Sequence, residues 1–208
     1  LTHQFLGRRK GGFVMTYSTL AAIVKYPFPS VLAGKKSKFG FFTSEENSYL
    51  KIAEELGIKR LSKEGEPPQY ARHPLVYLVE AADDICYQMM DIEDAYKLKL
   101  LTPKEAKDLY LLFFDEKKKR RVEEIFSFVT DGNEQMAYLR ATVIGILIKE
   151  CTKVFMENEE AILNGTFEGA LIKHISSPLS ESYKECSRVA VEKIYRSRDV
   201  LDIELAGF

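Results

Sequence analysis

Five carboxylates and a tyrosine recur at helical spacing in residues 80–94, which read EAADDICYQMMDIED. At about 100° per residue, these side chains fall within an arc roughly 100° wide on one side of a helix. They are Glu80, Asp83, Asp84, Tyr87, Asp91 and Asp94. Like charges three or four positions apart repel each other, and no Lys or Arg occurs between His73 and Tyr96. The pattern therefore predicts a face that binds a cation, a sugar hydroxyl or both, because carboxylate oxygens bind either.

The opposite side of the same helix is predicted to be apolar. Its residues are Leu75, Leu78, Val79, Ala82, Ile85, Cys86 and Met89. Taken alone, the acidic side has a second interpretation as solvent-exposed or inter-subunit surface, which is the more common use of such a face. The residues by themselves leave both interpretations open.

A basic segment precedes this helix, since residues 1–44 contain seven Lys and Arg and no Asp or Glu. The seven are Arg8, Arg9, Lys10, Lys25, Lys35, Lys36 and Lys38. Lys and Arg bind phosphate through charge-assisted hydrogen bonds, so the segment favours an anionic ligand. The alternatives are a solvated basic surface or a nucleic-acid contact. Carboxylates for a metal and cations for phosphates together suit a polyphosphate with a bound divalent metal.

A second basic run, KKKRR at 117–121, lies at the start of a predicted helix with an apolar stripe. The leading interpretation is a solvated or inter-subunit helix face. The more specific and less common alternative is a nucleic-acid contact.

Composition and missing motifs exclude several classes of protein. The net charge of −1 fits neither a generally acidic nor a generally basic protein, and no apolar run reaches membrane-spanning length. The phosphate-binding motifs GxxxxGK and GxGxxG, the nucleophile motif GxSxG and the zinc motif HExxH are all absent. Three widely spaced cysteines without a CxxC pattern predict a reduced, cytoplasmic protein.

Helix signals dominate the chain and predict an all-α fold with at most a minor β addition. Thr43 with Glu46 and Thr102 with Glu105 form candidate capping boxes, and Pro74 opens the long acidic helix. Predicted helices span 16–26, 44–56, 74–100, 103–114, about 116–130, 133–163 and 180–195, with Gly57 after the second. Residues 39–42 and 200–205 are candidate extended pieces, and the whole chain, 1–208, is predicted to be a single α-helical unit.

The stretch YLVEAADDICYQMMDIEDA, residues 77–95, closely resembles the long helix of bacterial deoxyguanosinetriphosphate triphosphohydrolases, which are dNTP triphosphohydrolases of the HD superfamily. Segments 16–27, 36–45, 162–172 and 183–208 resemble the same family in the expected order. The resemblance covers most of the chain, and the EAADDI…Y…DIED motif carries it most specifically. It implies an HD-superfamily-type helical domain, here incomplete.

The resemblance also implies an activity, namely hydrolysis of dGTP or other dNTPs to deoxynucleoside and tripolyphosphate. The family holds Mn²⁺ or Mg²⁺ with a His, a His-Asp pair and a distant Asp, and the distant Asp matches Asp83. Enzymes of this family commonly form homo-oligomers.

Substrate contacts follow from the same resemblance. Tyr87 is expected to pack under the deoxyribose, where a 2′-hydroxyl would crowd, and Asp91 to hold the 3′-hydroxyl. Lys25 and Lys38 match lysines that hold phosphates. Tyr26 and Glu204 are carried over to the nucleotide pocket.

The chain departs from the family because it contains no His-Asp dipeptide. The family's metal-binding histidines lie upstream of the matching segments. The expectation is therefore the C-terminal portion of such an enzyme, inactive alone. The alternative function, of another class, is a non-catalytic helical module that binds a nucleotide or single-stranded DNA through residues 1–44 and 117–121.

Overall fold

The computed structural model of the chain describes residues 3–4, 9–10, 15–35 and 37–196. Contacts between residues divide the chain into two compact units. The first comprises Leu1–Glu80 and Phe155–Ala170, and the second comprises Ala81–Val154 and Leu171–Phe208. The prediction of a single helical unit stays a prediction.

The first unit contains short helices and one short pair of strands. Strand β1 (His3–Gln4) pairs antiparallel with β2 (Arg9–Lys10). Its helices are α1 (Tyr17–Ala22), α2 (Glu46–Glu55), the first part of α3 (Pro74–Lys97) and α7 (Glu159–Leu163), with 3₁₀ turns at Ser30–Leu32 and Thr43–Glu45. Gly57 has φ +63° after α2, as expected for the residue that ends a helix, because this conformation favours glycine.

Aromatic rings form the core of the first unit. Phe41 stacks on Tyr49 with ring centroids 4.8 Å apart, and Tyr49 meets the Tyr70 ring edge-on at 5.6 Å. Ala53 of α2 completes this buried cluster. The core anchors α2 and the segment that leads into α3.

The second unit contains the longer helices. They are the rest of α3, α4 (Pro103–Leu111), α5 (Glu116–Phe126), most of α6 (Gly132–Glu157) and α8 (Ser177–Val189), which continues as a π-helical turn over Ala190–Tyr195. A 3₁₀ turn at Leu171–His174 precedes α8. The capping box at α4 is confirmed, since the Glu105 carboxylate accepts from the Thr102 N–H at 2.8 Å and the Thr102 hydroxyl accepts from the Glu105 N–H at 3.2 Å.

Four of these helices meet in the core of the second unit. Met89 of α3, Tyr110 of α4, Leu139 of α6 and Cys186 of α8 are completely buried. The Tyr110 hydroxyl donates to the Met89 carbonyl at 2.8 Å, so this buried hydroxyl is paired.

The all-α prediction is confirmed, and several predicted boundaries are corrected. The helix predicted over 133–163 is two helices interrupted at Asn158, and the helix predicted over 16–26 ends at Ala22. Residues 39–42 form no strand and contribute one isolated bridge from Phe41 to Pro29. At α2 the Glu45 carboxylate, instead of Thr43, closes the helix start by accepting from the Phe42 N–H at 3.0 Å. Residues 200–205 lie outside the described residues.

The apolar side of α3 is buried only in part. Ile85 and Met89 are buried, whereas the other five residues of that side are exposed. Leu75, Leu78, Val79, Ala82 and Cys86 are exposed. The buried ridge instead runs through Tyr77, Ala81, Ile85 and Met89, at four-residue spacing. A helical projection orders side chains around an axis, but it does not tell from which direction the rest of the chain packs.

None of the described helices combines the length and the hydropathy that crossing a bilayer requires.

Candidate functional site

The predicted metal and sugar residues lie on one strip of α3 in the second unit. Asp83, Tyr87 and Asp91 follow one another at four-residue spacing, so they lie on one side of the helix. Asp83 and Tyr87 are exposed, with 62% of Tyr87 accessible to solvent, and Asp91 is half-buried. This strip is accessible to a ligand that approaches the second unit.

Tyr195 is a neighbour of this strip that sequence reasoning missed. Its hydroxyl donates to Oδ2 of Asp91. Burial, followed by hydrogen bonding to Asp91 and Tyr87, raises the pKa of Tyr195 above its ordinary value. The resemblance of 183–208 covered this tyrosine without pointing to a role. Its approach to Asp91 depends on a contact between residues 104 positions apart in the chain.

Helix α8 fixes the orientation of this strip through two further hydrogen bonds. The Tyr183 hydroxyl donates to the Asp84 carbonyl at 2.9 Å, and the Ser187 hydroxyl donates to Oε1 of Gln88 at 2.7 Å. The two donors lie one turn apart on α8 and their acceptors one turn apart on α3. Two contacts at matched spacing prevent α3 from rotating about its axis, so the acidic strip keeps its direction.

Glu93 is a buried carboxylate of α3 outside the predicted site. Only 5% of the residue is exposed. It pairs with Lys97 at 2.7 Å and with Arg140 of α6. A buried carboxylate is tolerated when cations and hydrogen bonds compensate its charge, so Glu93 is explained by its attachment of α3 to α6.

The described residues supply few of the donors that a divalent metal needs. Of the ligands that the resemblance implies, Asp83 is the one matched here. Within the described ranges, no three His, Cys, Asp or Glu side chains converge as a metal ion requires. These residues alone therefore do not fit a tightly held Mn²⁺ or Mg²⁺, which needs several oxygen or nitrogen ligands.

The predicted phosphate residues converge on one aromatic ring of the first unit. The ammonium nitrogens of Lys25 and Lys38 lie 5.9 and 5.8 Å from the centroid of the Tyr26 ring. Gly40 permits this approach, because a Cβ there would lie 2.2 Å from the Tyr26 carbonyl oxygen. Lys25, Tyr26 and Lys38 are thus brought together although Lys38 lies in a separate loop.

Glu80 binds two cations of the first unit. Its carboxylate pairs with Lys25 at 2.7 Å and with Arg72 at 3.2 Å, and 10% of the side chain is exposed. The guanidinium of Arg72 also lies 5.6 Å from the centroid of the Tyr77 ring. No pattern within α3 indicates a partner for Glu80 because neither cation belongs to its helix, and Arg72 was not among the predicted site residues.

A cavity of about 280 Å³ lies beside this cluster in the first unit. Lys25, Tyr26, Arg72, Tyr77 and Phe167 contribute to its lining. The Tyr77 hydroxyl donates to the Phe167 carbonyl at 3.1 Å and so fixes one wall. The whole lining includes two cations, five aromatic residues and the carboxylate of Glu168, and both cations also pair with Glu80.

The remaining predicted residues divide between described and undescribed parts of the chain. Glu204 lies outside the described residues, and its role in a nucleotide pocket stays a prediction. The basic run at 117–121 is exposed for the most part on α5. Lys118 pairs with Asp115 at 2.7 Å and Lys119 with Glu116 at 2.9 Å. Such local pairs are typical of a solvated helix face.

Comparison with known proteins gives relatives over nearly the whole chain. No family model matches it. A protein of Pseudomonas aeruginosa (strain PAO1) is 34% identical over 200 residues, which is 94% of this chain and 43% of that protein. One of Synechocystis sp. (strain PCC 6803) is 31% identical over 219 residues, which is 100% of this chain and 47% of that protein. Both are named deoxyguanosinetriphosphate triphosphohydrolase-like protein. The chain spans less than half the length of these relatives.

Proposed function

We propose that this chain forms part of a phosphohydrolase acting on dGTP or related dNTPs. The premise is that the chain is homologous to part of the deoxyguanosinetriphosphate triphosphohydrolase-like proteins. The proposed products are the deoxynucleoside and tripolyphosphate. The observation that carries the proposal is the accessible strip of Asp83, Tyr87 and Asp91, whose types and order match the resemblance.

Asp83 is the proposed metal ligand of this chain. Its exposed carboxylate supplies one hard oxygen donor to Mn²⁺ or Mg²⁺. The metal, when bound, supplies Lewis-acid polarisation of phosphate oxygens. The other ligands come from outside the residues described here, which explains why the described donors do not fit a metal by themselves.

Tyr87 and Asp91 are the proposed sugar contacts. The exposed Tyr87 ring offers an apolar surface on which a deoxyribose packs. The Asp91 carboxylate accepts a hydrogen bond from the 3′-hydroxyl, and such a bond to a charged acceptor is stronger than one between neutral groups. A 2′-hydroxyl would be crowded against the Tyr87 ring, so the site should bind ribonucleotides less well than deoxyribonucleotides.

Lys25 and Lys38 are the proposed phosphate contacts, and Tyr26 orients both. The two ammonium groups lie at nearly equal distances from the ring. Both side chains are therefore partly ordered before phosphate binds. Glu80 restrains Lys25 at 2.7 Å in the absence of an anion. By the same homology we propose a homo-oligomeric, cytoplasmic enzyme.

The test is a product assay on the full-length protein that contains this chain. With Mn²⁺ or Mg²⁺ and each dNTP in turn, ion-exchange chromatography should detect tripolyphosphate and the deoxynucleoside in equal amounts. Release of orthophosphate or pyrophosphate would refute the proposed bond cleavage. Absence of any product, together with salt-dependent binding of single-stranded DNA, would instead support the non-catalytic module.

A further inference from the structure

The end of α8 departs from α-helical geometry beside the acidic strip. Residues Ala190–Tyr195 form a π-helical turn, closed by a hydrogen bond from the Arg196 N–H to the Val191 carbonyl at 3.1 Å. A π turn contains more residues than an α turn, so the side chains that follow point in a different direction from the one an α-helix would give them. Turns of this kind are frequent at functional sites.

Contacts at both ends hold this turn in place. At its start, Arg188 pairs with Glu185 at 2.6 Å and with Glu192 at 2.5 Å. Further along, the ammonium of Lys193 pairs with Glu105, which also closes the capping box of α4. Tyr195 follows two residues later, and its hydroxyl reaches Oδ2 of Asp91.

We infer that Tyr195 is a positioning residue for Asp91, whose carboxylate it orients so that the second oxygen accepts the 3′-hydroxyl of a deoxyribose. This inference rests on the proposed function. A carboxylate has two acceptor oxygens. The Tyr195 hydroxyl donates to Oδ2, and in this proposal Oδ1 is the oxygen that accepts the 3′-hydroxyl. A rigid aromatic side chain fixed by a helical turn restricts the rotation of the carboxylate more than water would.

The experiment compares two nucleotides that differ only in the 3′-hydroxyl. Wild type and Tyr195→Phe of the full-length protein are assayed for tripolyphosphate release from dGTP and from 2′,3′-dideoxy-GTP. Removal of a hydrogen bond to a charged group should lower kcat/KM for dGTP about tenfold. The same substitution should leave kcat/KM for the dideoxy nucleotide unchanged, because that substrate does not use the carboxylate.

Two controls separate positioning from general damage. Tyr17→Phe removes a hydroxyl from an exposed side chain at the start of α1 and should change neither rate. In an Asp91→Asn background, Tyr195→Phe should add no further loss on dGTP, because the group that it orients has already changed.

The possible results decide the inference separately from the proposed function. An equal loss on both nucleotides, or no loss on either, overturns the positioning role while leaving the hydrolase intact. If wild type releases no tripolyphosphate, the proposed function fails. The affinities for deoxyguanosine and 2′,3′-dideoxyguanosine then decide the inference. Tyr195→Phe must weaken only the first, and any other pattern overturns it.

Discussion

Glu80 offers the sharpest test of how the first unit is held together. Its carboxylate is the shared acceptor for Lys25 of the segment after α1 and for Arg72 before α3. Glu80→Gln keeps the shape of the side chain and one acceptor oxygen but removes the charge. The amide nitrogen then faces a cation, which disfavours at least one of the two pairs.

The expected magnitude follows from the exposure of the partners. Hydrogen bonds to charged groups contribute about 1.5–3 kcal/mol, and fully exposed ion pairs about 0.2–1 kcal/mol. Glu80 is 10% exposed at its side chain, whereas Lys25 is 43% and Arg72 is 25% exposed. Solvent screening of the cations reduces the contribution of each pair to stability to about 1 kcal/mol. The substitution should therefore lower the free energy of unfolding by about 1–2 kcal/mol.

The assay is urea unfolding followed by circular dichroism at a helix band, because the chain contains no tryptophan to report by fluorescence. Glu54→Gln is the matched control, since Glu54 lies exposed on α2 and the described residues provide it with no ion pair. Its effect should stay within about 0.5 kcal/mol. The double variant with Lys25→Gln should show a coupling energy of about 0.5–1 kcal/mol.

A loss for Glu80→Gln no larger than that of the control would refute the reasoning. It would mean that Lys25 and Arg72 do not engage the carboxylate in solution. A full loss with no coupling to Lys25 would assign the stabilisation to Arg72 alone.

Three further predictions concern the second unit. Asp83→Ala in the full-length protein should abolish metal-dependent dNTP hydrolysis while circular dichroism stays unchanged, because the side chain is exposed; retained turnover would remove Asp83 from the ligand set. Tyr87→Ala should reduce the ratio of kcat/KM for dGTP to that for GTP, since the ring that opposes a 2′-hydroxyl is lost, and an unchanged ratio would contradict the sugar contact. Pairing with Lys193 and Thr102 lowers the pKa of Glu105 from 4.5 to about 2. This carboxylate therefore stabilises the fold above pH 4.5 and loses that effect as the pH falls towards about 2. Over that range the melting temperature of the Glu105→Gln variant should fall less with decreasing pH than that of wild type. Parallel curves of melting temperature against pH would contradict this role of Glu105.

Local sequence signals predicted the helices well where the cause of a boundary is local. Thr102, Pro103 and Glu105 open α4 because all their partners lie within one turn. Gly57 ends α2 because its left-handed conformation depends on its own backbone. By contrast, the interruption at Asn158 and the π-helical turn at Ala190–Tyr195 carry no comparable signal, and both were missed.

The sequence by itself determined the spacing of Asp83, Tyr87 and Asp91, because residues four apart on a helix share a side whatever surrounds it. It also determined the family likeness, which rests on residue types in order. Only the tertiary structure decided which carboxylates of that side already have a cation or a hydrogen-bond donor as partner. Lys25 and Arg72 reach Glu80, and the Tyr195 hydroxyl reaches Asp91. These partners lie 55, 8 and 104 positions away, and no periodicity within α3 encodes contacts that depend on how distant segments pack.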